Sequence, residues 1–171
     1  MRNRCAKIRE TKPAMAVSVH QNSYTEEYVS GPQVFYYTTS AEGKEIAGCI
    51  QNVMNKELQI ERPREIKAND TYYILKRSEA PAVIVECGFL SNEREAALLI
   101  TDTYQQKAAE SICDGIQNIL RQRCKVCFQN IWFQMKKWCD ITIDKNFIRL
   151  IIVRQRTIGR EVKRKWILEK T

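Results

Sequence analysis

Among 171 residues there is a single histidine, His20. A catalytic zinc ordinarily takes three protein ligands plus water, drawn mostly from His with Glu, Asp or Cys. One histidine therefore excludes the common multi-histidine cage. Long apolar runs are also missing, and no window approaches the roughly 18 consecutive apolar residues of a membrane span. The opening, Met1-Arg2-Asn3-Arg4-Cys5-Ala6-Lys7-Ile8-Arg9-Glu10, is charged throughout and lacks the apolar core of a secretory signal. No export signal or transmembrane segment is read in the chain as written. There is no internal repeat and no low-complexity segment. Seven cysteines form an odd, scattered set (Cys5, Cys49, Cys87, Cys113, Cys124, Cys127 and Cys139) that does not read as a disulfide framework. Most are expected to be buried reduced thiols.

What the chain does hold is divided unevenly. Hydrophobic residues make up 44%, enough for a core of one ordinary domain, and the net charge is +8. Residues 121–171 carry 14 Lys and Arg against 4 Asp and Glu, a net of +10, which leaves −2 for residues 1–120. All three tryptophans (Trp132, Trp138, Trp166) lie in the basic part, whereas all seven tyrosines and all four prolines precede it. This step predicts a domain over 1–120 and a basic, Trp-containing tail of unknown origin over 121–171. Such a tail can contact anionic surfaces, though no specific nucleic-acid motif is present. Its Cys124-x2-Cys127 pair with Cys139 falls short of the four ligands of a structural zinc site.

Along residues 1–120 the pattern alternates between strand and helix. A helix is expected over 2–11, ended by Pro13. Ala14-Met15-Ala16-Val17-Ser18-Val19 reads as a strand delivering His20 to its end, and a polar loop follows to Gly31-Pro32. Val34-Phe35-Tyr36-Tyr37 reads as a strand, and Ser40 caps a helix with apolar steps at Ile46, Ile50, Val53, Met54 and Leu58. A basic loop around Arg62–Lys67 leads to Tyr72-Tyr73-Ile74-Leu75, a further strand candidate. Pro81-Ala82-Val83-Ile84-Val85 is apolar on both faces, as a central strand covered by helices would be. Asn92 and Glu95 suggest a capping box for a short helix. Asp102 is expected to cap a longer one with Ala108, Ala109, Ile112, Ile116, Ile119 and Leu120 along one stripe. Alternating elements of this kind predict an α/β fold, a mixed sheet flanked by helices on both faces.

Two strand ends carry groups able to do chemistry: Ser18-Val19-His20-Gln21-Asn22-Ser23-Tyr24, and Val85-Glu86-Cys87-Gly88-Phe89-Leu90-Ser91-Asn92. A histidine and a glutamate at strand tips suggest a metal ligand and a general base at one edge of a sheet. Burial beside an apolar strand raises a carboxylate's pKa toward the range useful to a base. Each residue also has an ordinary reading, His20 as a satisfied strand-end histidine and Glu86 as one half of a salt bridge. Cys87 with His20 as a nucleophile pair is a further option, disfavoured because an apolar setting raises a thiol's pKa.

These two strings, with Gly31 before the second strand and Tyr104-Gln105 in the last helix, resemble the zinc-dependent N-acetylmuramoyl-L-alanine amidases, most closely their sporulation and germination branch. The resemblance runs from about Arg4 to Leu120. It implies a peptidoglycan hydrolase that cleaves the amide between N-acetylmuramic acid and L-alanine with zinc-activated water. It assigns His20 as a zinc ligand and Glu86 as the general base, and an arginine of the first helix corresponds to Arg4. Asn22 is read as a substrate contact or equally as a turn residue, and Arg64, with Arg62 and Lys67, as a contact for the acidic stem peptide or as part of a solvated basic loop. Family members open with a strand and two further ligands that do not occur here. The resemblance therefore implies an N-terminally truncated domain lacking the opening strand, with Zn2+ held weakly or not at all. The alternative is a non-catalytic remnant that binds muropeptide or a protein partner, and a third reading is an anion binder driven by the tail. The substrate implied is peptidoglycan, and the location extracytoplasmic, at the cell wall. Loss of the opening strand would leave a bare apolar sheet edge and promote self-association.

Overall fold

The structure, a computed structural model, describes residues 2–60, 62–123, 149–158 and 161–170, the last two stretches as backbone strands. The Cys124, Cys127 and Cys139 cluster and Trp132 and Trp138 lie outside the described residues. Helix α1 (Arg2–Thr11) leads into β1 (Met15–Asn22), β2 (Gln33–Tyr37), α2 (Ala41–Glu57) and β3 (Lys67–Asn69). Then follow α3 (Tyr73–Arg77), β4 (Ala82–Phe89), α4 (Glu93–Leu99), α5 (Asp102–Arg123), β5 (Arg149–Ile158) and β6 (Glu161–Lys170). The strands form one mixed sheet in the order β3-β2-β4-β1-β5-β6. β4 lies parallel to β1 and antiparallel to β2. Helices flank the sheet as the alternation of elements predicts.

The continuous apolarity of β4 is explained by two separate cores. Val83, Val85 and Cys87 join Val17, Val19 and Val34 against Ile46, Ile50, Met54, Ile112, Ile116 and Ile119 of α2 and α5. Ala82 and Ile84, pointing the other way by the two-residue period, join Ala16 and Phe35 against Cys5 and Ile8 of α1 and Ile74 and Leu75 of α3. The helical pair on the first face packs closely. A Cβ on Gly115 would lie 2.6 Å from the Ile50 Cα, so only glycine allows that approach.

Three local expectations change. Tyr72–Leu75 is not a strand: α3 starts at Tyr73, and Ile74 and Leu75 are both buried while Tyr73 and Lys76 are exposed. Two adjacent buried side chains fit a helical turn against the sheet and not a half-buried strand. The turn is set by Asn69, whose Oδ1 accepts from Thr71 N at 2.9 Å and Tyr72 N at 2.7 Å. The third strand comes earlier, at Lys67–Asn69, paired in parallel with β2 at the sheet edge. Asp102 is already the first helical residue of α5, and the Thr101 hydroxyl instead accepts from Tyr104 N at 3.3 Å. The bare edge is also absent. β5 lies antiparallel along β1 from Met15↔Val153 to Val19↔Arg149, and β6 pairs with β5.

Candidate functional site

In the β4 row that faces α1 and α3, Ala82 and Ile84 are followed by Glu86. In β1 the matching row runs Ala16, Ser18, His20, and the strand register sets His20 directly beside Glu86. On the other side β2 places Gln33 beside the same glutamate. Glu86 therefore stands where this row leaves its apolar core, with one polar neighbour on each flanking strand. It is only 7% exposed, and its buried Oε2 has no hydrogen-bond partner among the described residues. Desolvation disfavours the charged carboxylate and pushes its pKa up to about 7. The carboxylate's charge reaches Tyr72, whose pKa rises through burial first and Glu86 second.

His20 is half-buried, and its Nε2 lies 2.9 Å from the Ser18 hydroxyl. Burial lowers its pKa, and the Arg4 guanidinium of α1 lowers it further, so the neutral imidazole is favoured. Asn22 ends β1, and its Oδ1 accepts from Ser23 N at 2.8 Å while its carbonyl accepts from Leu90 N at 2.7 Å. It thus fastens the end of β1 to the segment after β4. Arg64 bridges the loops beside the site. It donates to Ser30 O and to Gln33 Oε1, both at 3.1 Å, and its guanidinium sits 5.3 Å from the Phe89 ring centre. Its buried Nε has no partner among the described residues.

The structure thus brings His20, Glu86, Gln33 and, through Gln33, Arg64 to one end of the sheet, with Asn22 at the rim. Sequence reasoning did not single out Gln33, Tyr72 or Ser18 for this place. Gln33 and Tyr72 reach it from separate segments, and only the strand register and the Asn69 turn bring them in. Gln51 was also missed. This buried residue of α2 accepts from Val34 N at 2.7 Å and donates to Pro32 O and Asn55 Oδ1, while Asn55 holds Arg64 O at 3.0 Å. Cys87 packs in the α2/α5 core, and burial pushes its thiol up to about 12, so the unreactive protonated form is favoured at neutral pH.

The sequence profile of the N-acetylmuramoyl-L-alanine amidases matches residues 1–118, 118 of 171. The chain belongs to the N-acetylmuramoyl-L-alanine amidase family. It is 34% identical over 116 residues to the germination-specific N-acetylmuramoyl-L-alanine amidase of Bacillus subtilis, covering 68% of this chain and 48% of that protein. It is 30% identical over 123 residues to the amidase LytC of the same organism, covering 71% of this chain and 24% of LytC. The fold matches the CwlD amidase of Clostridioides difficile, solved in complex with the GerS lipoprotein, with a TM-score of 0.67 and 39% identity over 70% of this chain and 60% of that one. An N-acetylmuramoyl-L-alanine amidase from Clostridium difficile 630 matches with a TM-score of 0.68 and 26% identity, over 72% of this chain and 66% of that one. The chain spans about half the length of the first of these amidases.

Zinc is the metal that the amidase resemblance implies, and the donors described do not make a cage for it. His20 is the only histidine in the chain. Among the described residues no three His, Cys, Asp or Glu side chains converge on one point. A four-coordinate zinc needs three or four protein donors, so His20 with Glu86 beside it supplies too few. Among the described residues no helix is long and apolar enough to cross a membrane.

Proposed function

We propose that this amidase-family chain carries the base of a peptidoglycan-hydrolysing site, directed at the amide between N-acetylmuramic acid and L-alanine at the cell wall. The observation that carries this reading is the Glu86 carboxyl: almost fully buried, without a hydrogen bond at Oε2, and poised near neutral pH. An amide resists water because attack needs a deprotonated nucleophile and the amine leaves only once protonated. A carboxylate with a pKa near 7 serves both needs, accepting the water's proton and returning it to the departing nitrogen. Glu86 is that group. His20, held neutral and oriented by Ser18, is one metal donor, and zinc at this position requires donors besides those described. Arg64 positions Gln33 and the surrounding loops, and its guanidinium is the candidate contact for an acid of the stem peptide. Asn22 shapes the rim.

The test is the release of alanine-terminated stem peptides from purified peptidoglycan with added zinc, comparing the natural chain with Glu86→Gln. The variant should lose at least about a hundredfold of whatever rate the natural chain shows. A measurable rate that survives Glu86→Gln would remove Glu86 from the chemistry. The short donor set favours a second reading, a non-catalytic member that binds muropeptide. No release by the natural chain, together with retention on peptidoglycan, would select it.

A further inference from the structure

The segment between β1 and β2 is unusually well fastened for a polar loop. Tyr24 N donates to the Ser91 hydroxyl at 3.0 Å, and Asn92 Nδ2 donates to Glu27 O at 2.8 Å. Gly31 N donates to Glu95 Oε1 at 2.8 Å, and Arg64 holds Ser30 O. Gly31 has φ of 94°, a left-handed conformation that glycine adopts without strain and that other residues rarely adopt. Glu95 also accepts from Phe89 N at 2.8 Å, so one carboxylate ties this loop to the end of β4. On this fixed backbone two large rings remain in water: Tyr24 is 58% exposed and Tyr28 is 81% exposed. Leu90, on the segment they are tied to, is 50% exposed.

Ordering a loop has an entropic cost that is recovered when its side chains pack, yet these rings pack against little. Tyr24 and Leu90 stand close to the candidate site along the chain. Tyr24 follows His20 by four residues, and Leu90 follows Glu86 by four, which at full extension is at most about 14 Å. We propose that Tyr24 and Tyr28, with Leu90, form a glycan-binding rim that stacks on the sugar rings of the substrate strand.

This inference rests on the substrate reading above and says which part of that substrate the rim holds. The scissile amide joins a sugar to a peptide, so a sugar must lie within about one residue's length of Glu86. A pyranose presents a face of C–H groups that suits the negative face of an aromatic ring, and tyrosine adds a hydroxyl able to bond sugar oxygens. The separation of the groups favours a glycan over a protein. Three exposed side chains, with Thr25, Glu26 and Glu27 separating the two tyrosines, make a far smaller surface than the roughly 800 Å² per partner of a stable protein interface. A sugar needs only one ring face at a time.

The test uses the full chain and glycan strands of alternating N-acetylglucosamine and N-acetylmuramic acid stripped of stem peptide, titrated by calorimetry. Tyr24→Ala and Tyr28→Ala should each weaken binding about five- to tenfold, and the double variant should abolish it. Unchanged melting temperatures, expected for exposed rings, separate lost binding from lost folding. Glycan binding that survives the double substitution would overturn the proposal, as would a natural chain that binds free stem peptide and no glycan. Peptide release that depends on Glu86, with binding indifferent to both tyrosines, would sink the rim and leave the functional reading standing. Loss of glycan binding in the tyrosine variants, alongside hydrolysis indifferent to Glu86, would do the reverse.

Discussion

A carboxyl group buried without a hydrogen bond is a local defect in stability, and Glu86 is placed to be one. Its pKa in the folded chain is about 7 against 4.5 for the free side chain. The folded state therefore binds more protons than the unfolded one between those values, and stability falls as pH rises through that window. A shift of this size corresponds to about 3 kcal/mol lost above pH 7. His20 acts in the opposite sense. Its lowered pKa favours the unfolded, protonated form as pH falls below about 6.5. Replacing Glu86 alone isolates the first effect. In chelator-treated buffer, Glu86→Gln should match the natural chain in urea denaturation at pH 4 and exceed it by up to about 3 kcal/mol at pH 8. Equal stabilities at pH 8 would mean that the carboxylate has solvent or a partner after all. The pairing of His20 with Glu86 was legible because each follows an apolar run in its strand, although β1 and β4 continue two and three residues beyond them. Gln33 and Tyr72 were not, because nothing near them in the chain marks them. They become neighbours of Glu86 only through the β2–β4 register and the turn that Asn69 closes.

Among the elements, α2, α5, β1, β2 and β4 were readable from periodicity and caps, since their apolar spacing runs long enough to settle the type. Ser40 caps α2 as expected, its hydroxyl accepting from Gly43 N at 3.0 Å. Asn92 likewise accepts from Glu95 N at 3.0 Å at the start of α4. The Glu95 side chain, however, turns to Gly31 and Phe89 instead of closing the box. Tyr72–Leu75 misled because Tyr72, Tyr73 and Ile74 all favour strands, although a five-residue helix owes more to packing than to propensity. β5 was the least legible element, since its pairing with β1 depends on contacts between residues more than a hundred positions apart. That pairing has a consequence. Removing residues 149–171 should expose the outer edge of β1 and cause concentration-dependent self-association in sedimentation velocity. A shortened chain that stays monomeric at high concentration would show that the hairpin does not protect that edge.

For the molecule as a whole, a sheet with helices on both faces holds a desolvated carboxyl group beside the chain's one histidine toward the end of two parallel strands. The family assignment and the fold agree with each other, whereas the donor set described for a metal is short. Glu86 is proposed as the base of the site, while the donors found among the described residues fall short of a zinc cage. Zinc content after equilibration and gel filtration, measured for the natural chain and for His20→Ala, tests that most directly. The account predicts well under one equivalent in both, with little difference between them. One full equivalent in the natural chain, lost in His20→Ala, would contradict it and show that His20 has partners enough to hold the metal.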